Sequence, residues 1–118
     1  MPSNKPIVRL EDILENIERI QRYTDGYDFH RFANDQQCQD AVERCLLRIS
    51  EAAKKLGNTA ESVAAEQQWS RIRATGNVLR HEYDTIERTI IWRIVTDDLR
   101  PLRIAVEKAL TQFGTDKS

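Results

Sequence analysis

Apolar residues recur at three- and four-residue steps along most of this chain, the pattern of helices that each bury one face. Over residues 9–24, Leu10, Ile13, Leu14, Ile17 and Ile20 form one such stripe. Glu11, Asp12, Glu15 and Glu18 lie off it, toward water or a partner. Thr24-Asp25-Gly26 ends the helix, with Gly26 as its C-terminal cap. Phe29-His30-Arg31-Phe32 reads as a short helical turn. Asn34 or Asp35 then caps a long helix reaching about Leu56, with Ala41, Val42, Cys45, Leu46, Ile49, Ala52, Ala53 and Leu56 as its apolar positions. Gly57-Asn58 stops it. Residues 58–68 are polar and aperiodic, so a loop is expected, with a helical turn at Ala60–Ala65.

A third long helix is expected from Trp69 to Tyr83, carrying Trp69, Ile72 and Leu79. Its interior Gly76 costs roughly 1 kcal/mol relative to alanine, which asks for a reason such as close approach of another group. The last helical stretch runs from Thr85 to about Phe113. Its expected core stripe is Ile86, Ile90, Ile94 or Val95, Leu99, Leu102, Ala105, Val106 and Leu110. Thr96-Asp97-Asp98 followed by Pro101 predicts a restart, with a kink or break near residue 96.

Composition narrows the fold. Four glycines and three prolines are too few turn formers for an all-β domain. The 118 residues, 40% hydrophobic and 31% charged, suit one domain with its own core. The expected fold is all-α: an antiparallel four- to five-helix bundle spanning 1–118, with residues 1–8 and 114–118 flexible. The broad apolar faces predict pairing with a second copy in a symmetric dimer. No apolar run is long enough to span a membrane, and Met1–Leu10 lacks the apolar stretch of a secretory leader. Cys38 and Cys45, seven residues apart on one helix, are too far apart for a disulfide and read as reduced packing residues. A cytoplasmic protein is the expectation.

The net charge of −1 gives nucleic acid no general attraction, so any such contact needs a local basic patch. Only five of the 18 basic residues are lysines, and arginine suits planar bidentate contacts to phosphate. No phosphate-binding glycine loop, dinucleotide fingerprint, HExxH or nucleophile elbow is present. His30 and His81 have no spacing that builds a metal site, and no metal or cofactor is expected. His30 reads as a surface or packing residue. His81 belongs to a stripe: Arg73, Asn77, Arg80 and His81 share a helix face at three- and four-residue steps. Guanidiniums, an amide and an imidazole together suit a phosphate and a proton transfer near neutral pH. A solvated face with a C-terminal histidine is the plainer reading of the same residues. Trp69 and Trp92 read as core or dimer anchors.

The stretch Gly76-Asn77-Val78-Leu79-Arg80-His81-Glu82-Tyr83, then Ile91-Trp92-Arg93-Ile94-Val95-Thr96-Asp97-Asp98-Leu99, resembles the HepT-like family of HEPN-fold proteins. Ile49-Ser50-Glu51-Ala52-Ala53-Lys54-Lys55-Leu56 is also similar to that family, with Ser50 for a glycine, and Gln39-Asp40-Ala41-Val42 precedes it in order. The resemblance implies a dimeric helical ribonuclease toxin that needs no metal. Its implied partner is a minimal nucleotidyltransferase antitoxin, as in a type VII-like toxin–antitoxin pair, and its implied substrate is RNA bound between two facing motifs. The family motif runs arginine, a polar residue, three more residues, histidine, any residue, tyrosine. Asn77, His81 and Tyr83 match the last three named positions, and Tyr83 is the residue an antitoxin would adenylylate. Gly76 stands where the motif has arginine. Arg73 or Arg80 would then have to supply the missing guanidinium, with Arg73, Asn77, Arg80 and His81 as the catalytic set. The alternative is a catalytically degenerate member that binds a nucleotidyltransferase or a nucleotide and cuts nothing.

Overall fold

The computed structural model describes residues 6–59 and 88–116, with side chains as far as Gln112. Helix α1 spans Pro6–Tyr23, α2 Phe29–Ala33 and α3 Gln36–Leu56. After the undescribed stretch come α4, Arg88–Arg93, a π-helical turn at Ile94–Asp98, and α5, Leu99–Asp116. The described residues are all-α and contain no strand.

Helix α1 starts at Pro6, three residues before the expected position, where the missing proline N–H is harmless. Residues 6–8, expected in a flexible lead, are helical, and so are residues 114–116 at the other end. The stripe Leu10, Ile13, Ile17 and Ile20 is fully buried, as its spacing predicts. Thr24 ends the helix by donating its hydroxyl to the Ile20 carbonyl at 2.8 Å. Gly26 then takes φ +78°, a left-handed backbone that glycine adopts freely.

The sharp connection to α3 is held by short-range polar chemistry. Asp28 caps α2 by accepting from the Arg31 N–H at 2.8 Å. Of the two expected α3 caps, Asp35 is the one used: its carboxylate accepts from the Cys38 N–H at 2.9 Å. The same carboxylate accepts from the Tyr27 hydroxyl at 2.6 Å, and the Arg31 guanidinium lies 4.0 Å over the Tyr27 ring. Asn34 instead donates to the His30 carbonyl. The turn sends α3 back antiparallel to α1, so that Cys38 meets the Tyr23 carbonyl. At the far end Gly57 stops α3 with φ +56°.

Helices α1, α3 and α5 share one core with Phe32 of α2. Val42, Ile49, Leu102 and Val106 join the α1 stripe with no exposure. Cys38 and Cys45 are free and buried, as expected. Trp92 packs against this core, its ring 5.0 Å from Phe32. Burying such aromatic and aliphatic side chains stabilises each position by about 1.5–3 kcal/mol.

The irregularity expected near residue 96 is present as a π-helical turn at Ile94–Asp98, and the chain stays helical with no break or capped restart. The Leu99 N–H instead reaches the Ile94 carbonyl, one residue farther back than an α-helix allows. The Thr96 hydroxyl donates to the Trp92 carbonyl at 3.0 Å and does not cap a new helix. The wide turn absorbs one extra residue ahead of Pro101, which has no N–H to donate. It also rephases the stripe: Ile91 and Ile94 precede it, Leu99, Leu102, Val106 and Ala109 follow it, and all are buried. Three stripe positions change, Leu110 being half-buried beside the core. Ile90 is 52% exposed, with Ile91 taking the core position, and Ala105 is only half-buried while Ala109 is buried.

Candidate functional site

Arg73, Gly76, Asn77, Arg80, His81 and Tyr83 lie outside the described residues, as do Trp69, Ile86 and the expected turn at Ala60–Ala65. The described chain shows the frame on either side of them. It leaves that frame at Thr59, past the C-terminal end of α3, and returns at Arg88 beside Gln39. Gln39 and Leu56 are about 25 Å apart along the α3 axis.

The return point is fastened. Arg88 donates through Nε to the Gln39 side-chain oxygen at 3.2 Å. Gln39 is buried, and its amide nitrogen donates to the Phe32 carbonyl at 2.9 Å and the Ala33 carbonyl at 3.2 Å. One amide therefore bonds two C-terminal carbonyls of α2 and holds the guanidinium that follows Tyr83 by five residues. The Phe32–Trp92 ring contact secures the next turn of α4. Sequence reading did not assign Gln39 or Arg88 a role. The available signal was register: Gln39 lies three residues before Val42 and seven before Leu46, so it is a polar residue in a core position.

The Ile49–Leu56 segment is the last stretch of α3 before the undescribed residues. Ile49, Ala52, Ala53 and Leu56 face the core, while Glu51, Lys54 and Lys55 face water. Ser50 is fully buried and its hydroxyl has no partner among the described residues. His30, read as a surface or packing residue, is exposed on α2.

Ionisation in the frame follows burial and hydrogen bonding. The Tyr27 hydroxyl, then the Cys38 N–H, hold the Asp35 carboxyl below its ordinary value. The same bond to Asp35 raises Tyr27. Burial raises both cysteine thiols, so neither is a ready nucleophile at neutral pH. Burial, with Asp40 nearby, also raises Glu43. Among the described residues no cluster of histidine, cysteine and carboxylate side chains could hold a metal ion. No described helix is long and apolar enough to cross a membrane.

Comparison with known proteins adds the missing context. The profile of the family described as Ribonuclease HepT-like matches residues 13–109. A Thermococcus cleftensis protein named "Probable ribonuclease HepT" is 33% identical over 99 residues, covering 84% of this chain and 90% of that one. The RNase-designated MJ1380 protein of Methanocaldococcus jannaschii is 30% identical, covering 83% and 90%. The RNase-designated MJ0127 protein of the same organism is 35% identical, covering 80% and 78%. No solved structure matches this chain at a significant level.

Proposed function

This chain belongs to the HepT-like ribonuclease family, and from that premise we propose that it is a metal-independent endoribonuclease, the toxin of a pair whose antitoxin is a minimal nucleotidyltransferase. The observation that carries the reading is the family match over residues 13–109, which takes in Asn77, His81 and Tyr83 in the motif's order.

The reaction proposed is attack of a ribose 2′-oxygen on the adjacent phosphorus. His81 of one protomer takes the 2′-hydroxyl proton as the new O–P bond forms. The bond from phosphorus to the 5′-oxygen breaks, and the partner subunit's His81 protonates that oxygen. The products are a 2′,3′-cyclic phosphate and a 5′-hydroxyl. An imidazole suits both roles because its pKa lies near neutral pH. Arg73 or Arg80 neutralises charge on the phosphoryl oxygens, and Asn77 orients the phosphate or the imidazole. Adenylylation of Tyr83 places bulk and negative charge where RNA phosphates approach, which repels the substrate.

Gly76 supports a second reading, since it removes the motif's arginine. In that case the chain is a degenerate member that binds its nucleotidyltransferase without cutting. One experiment separates the two. The purified protein, in EDTA, is incubated with an end-labelled RNA pool beside His81→Ala and Gly76→Arg. Cleavage with cyclic phosphate ends, reduced at least about 100-fold in His81→Ala, is the expected result. Cleavage by Gly76→Arg alone assigns the native chain to the degenerate class.

A further inference from the structure

A polar groove of about 400 Å³ runs between α1 and α3, with the core residue Ala52 in its lining. Its α1 wall is Arg9, Asp12, Glu15, Asn16 and Arg19, and its α3 wall is Arg48, Glu51, Ala52 and Lys55, so four cations stand beside three carboxylates. The helices are antiparallel, so Arg9 faces the Lys55 end and Arg19 the Arg48 end. The two basic ends are about 10–15 Å apart by helical rise. Ala52, with its small side chain, leaves the floor open between them.

The charges are not equivalent. Arg9 pairs with Asp12 at 3.5 Å and Arg19 with Glu15 at 2.9 Å, both within α1. Among the described residues, Arg48 and Lys55 form no ion pair. At one end Arg19, Arg22 and Arg48 converge on Cys45, close enough for all three to pull its thiol downward against the effect of burial. The groove wall also holds unmade hydrogen bonds. Asn16 is only 6% exposed, and its Oδ1 has no partner among the described residues, although its Nδ2 donates to the Asp12 carbonyl. The Nε of Arg9 is likewise buried and has no partner among the described residues. Buried polar atoms without partners are uncommon and mark places where water or a polar ligand completes the network.

We propose that the α1–α3 groove is an accessory site for the phosphodiester backbone of single-stranded RNA, with Arg48 and Lys55 as its principal phosphate contacts. The inference rests on the ribonuclease reading above and adds a binding surface made of residues outside the catalytic motif. A backbone ligand fits the two separated basic ends, and arginine favours bidentate contact with phosphate oxygens. Contacts of this kind grip the strand without reading its sequence. They work despite the net charge of −1, because the field that matters is local.

The test is fluorescence anisotropy with a labelled single-stranded oligoribonucleotide, over a range of salt, in a His81→Ala background that leaves the probe intact. The double variant Arg48→Glu, Lys55→Glu is compared with Arg44→Glu, Lys54→Glu, which makes the same charge change at exposed α3 positions outside the groove. Thermal melting confirms that both fold. The groove variant is expected to bind about tenfold more weakly, with a salt slope smaller by about 1.4, the loss of two single-strand phosphate contacts. The outer variant should match its parent. Equal losses in the two variants, or none in either, overturn the proposal, and the groove then suits an acidic protein surface better than RNA. The outcome is separable from the ribonuclease reading. Groove-dependent binding by a chain that cleaves no RNA keeps this site and removes the activity. Cleavage by the otherwise native chain, with no groove dependence of binding, does the reverse.

Discussion

Tyr27, Asp35 and Cys38 show how much structure one carboxylate can organise. Asp35 caps α3 through the Cys38 N–H and takes the Tyr27 hydroxyl on its other oxygen. Its folded pKa is depressed, so its contribution to stability is complete above the unfolded value near 3.8 and is lost as pH falls through the lower folded value. Tyr27 is shifted the other way. Its contribution is complete below 10.0 and is lost as pH rises through the higher folded value. Melting temperatures of the native chain and Tyr27→Phe should therefore differ by a constant amount near neutral pH. The gap should narrow under strongly acidic and strongly alkaline conditions, and a pH-independent gap would show that the tyrosine acts by packing alone. Gln39 and Arg88 belong to the same scale. Hydrophobic spacing shows that position 39 faces the core, but not that its amide joins α2 to the residue that follows the motif. That pairing spans 49 positions of sequence, and no local rule reaches so far.

At the scale of elements, the helices follow from periodicity because amphipathic spacing and capping are local. Asp35, Gly26 and Gly57 act where such residues ordinarily act. The π-helical turn is the instructive exception. A Thr-Asp-Asp-Leu-Arg-Pro run reads as an end and a restart, yet the chain passes through it by widening one turn. The core requires this. The step from Ile94 to Leu99 is five residues, too many for one α-turn and suited to a π-turn. Deleting Thr96 should shorten the Ile94–Leu99 step to four residues and return the segment to α-geometry with Leu99, Leu102 and Val106 still facing the core. The expected cost by urea denaturation is at most about 1 kcal/mol, whereas inserting one alanine after Thr96 makes a six-residue step that no π-turn absorbs and should cost about 4 kcal/mol.

For the whole molecule, the described helices bury one continuous core, yet large apolar side chains remain outside it. Ile90 is 52% exposed and Ile104 is 57% exposed. The proposed mechanism needs a histidine from each of two protomers, so the chain should behave as a dimer. Light scattering on the purified protein should return twice the monomer mass of 13.7 kDa. A monomer at the concentrations where RNA is cut would remove the partner's proton donor and require both transfers within one chain.

The sequence by itself determined the helical class, the positions of the long helices and the α1 and α3 core stripes, because periodicity and caps are properties of neighbouring residues. It also carried the motif Asn77, His81 and Tyr83, since family likeness is a matter of residue order. Tertiary structure decided what depends on distant parts of the chain: Ile91 rather than Ile90 in the core, a widened turn in place of a break, the amide bridge from Gln39 to Arg88, and the two charged stripes that face each other across the α1–α3 groove. Each of these was settled by packing between helices, where the geometry of one segment is set by the surface of another.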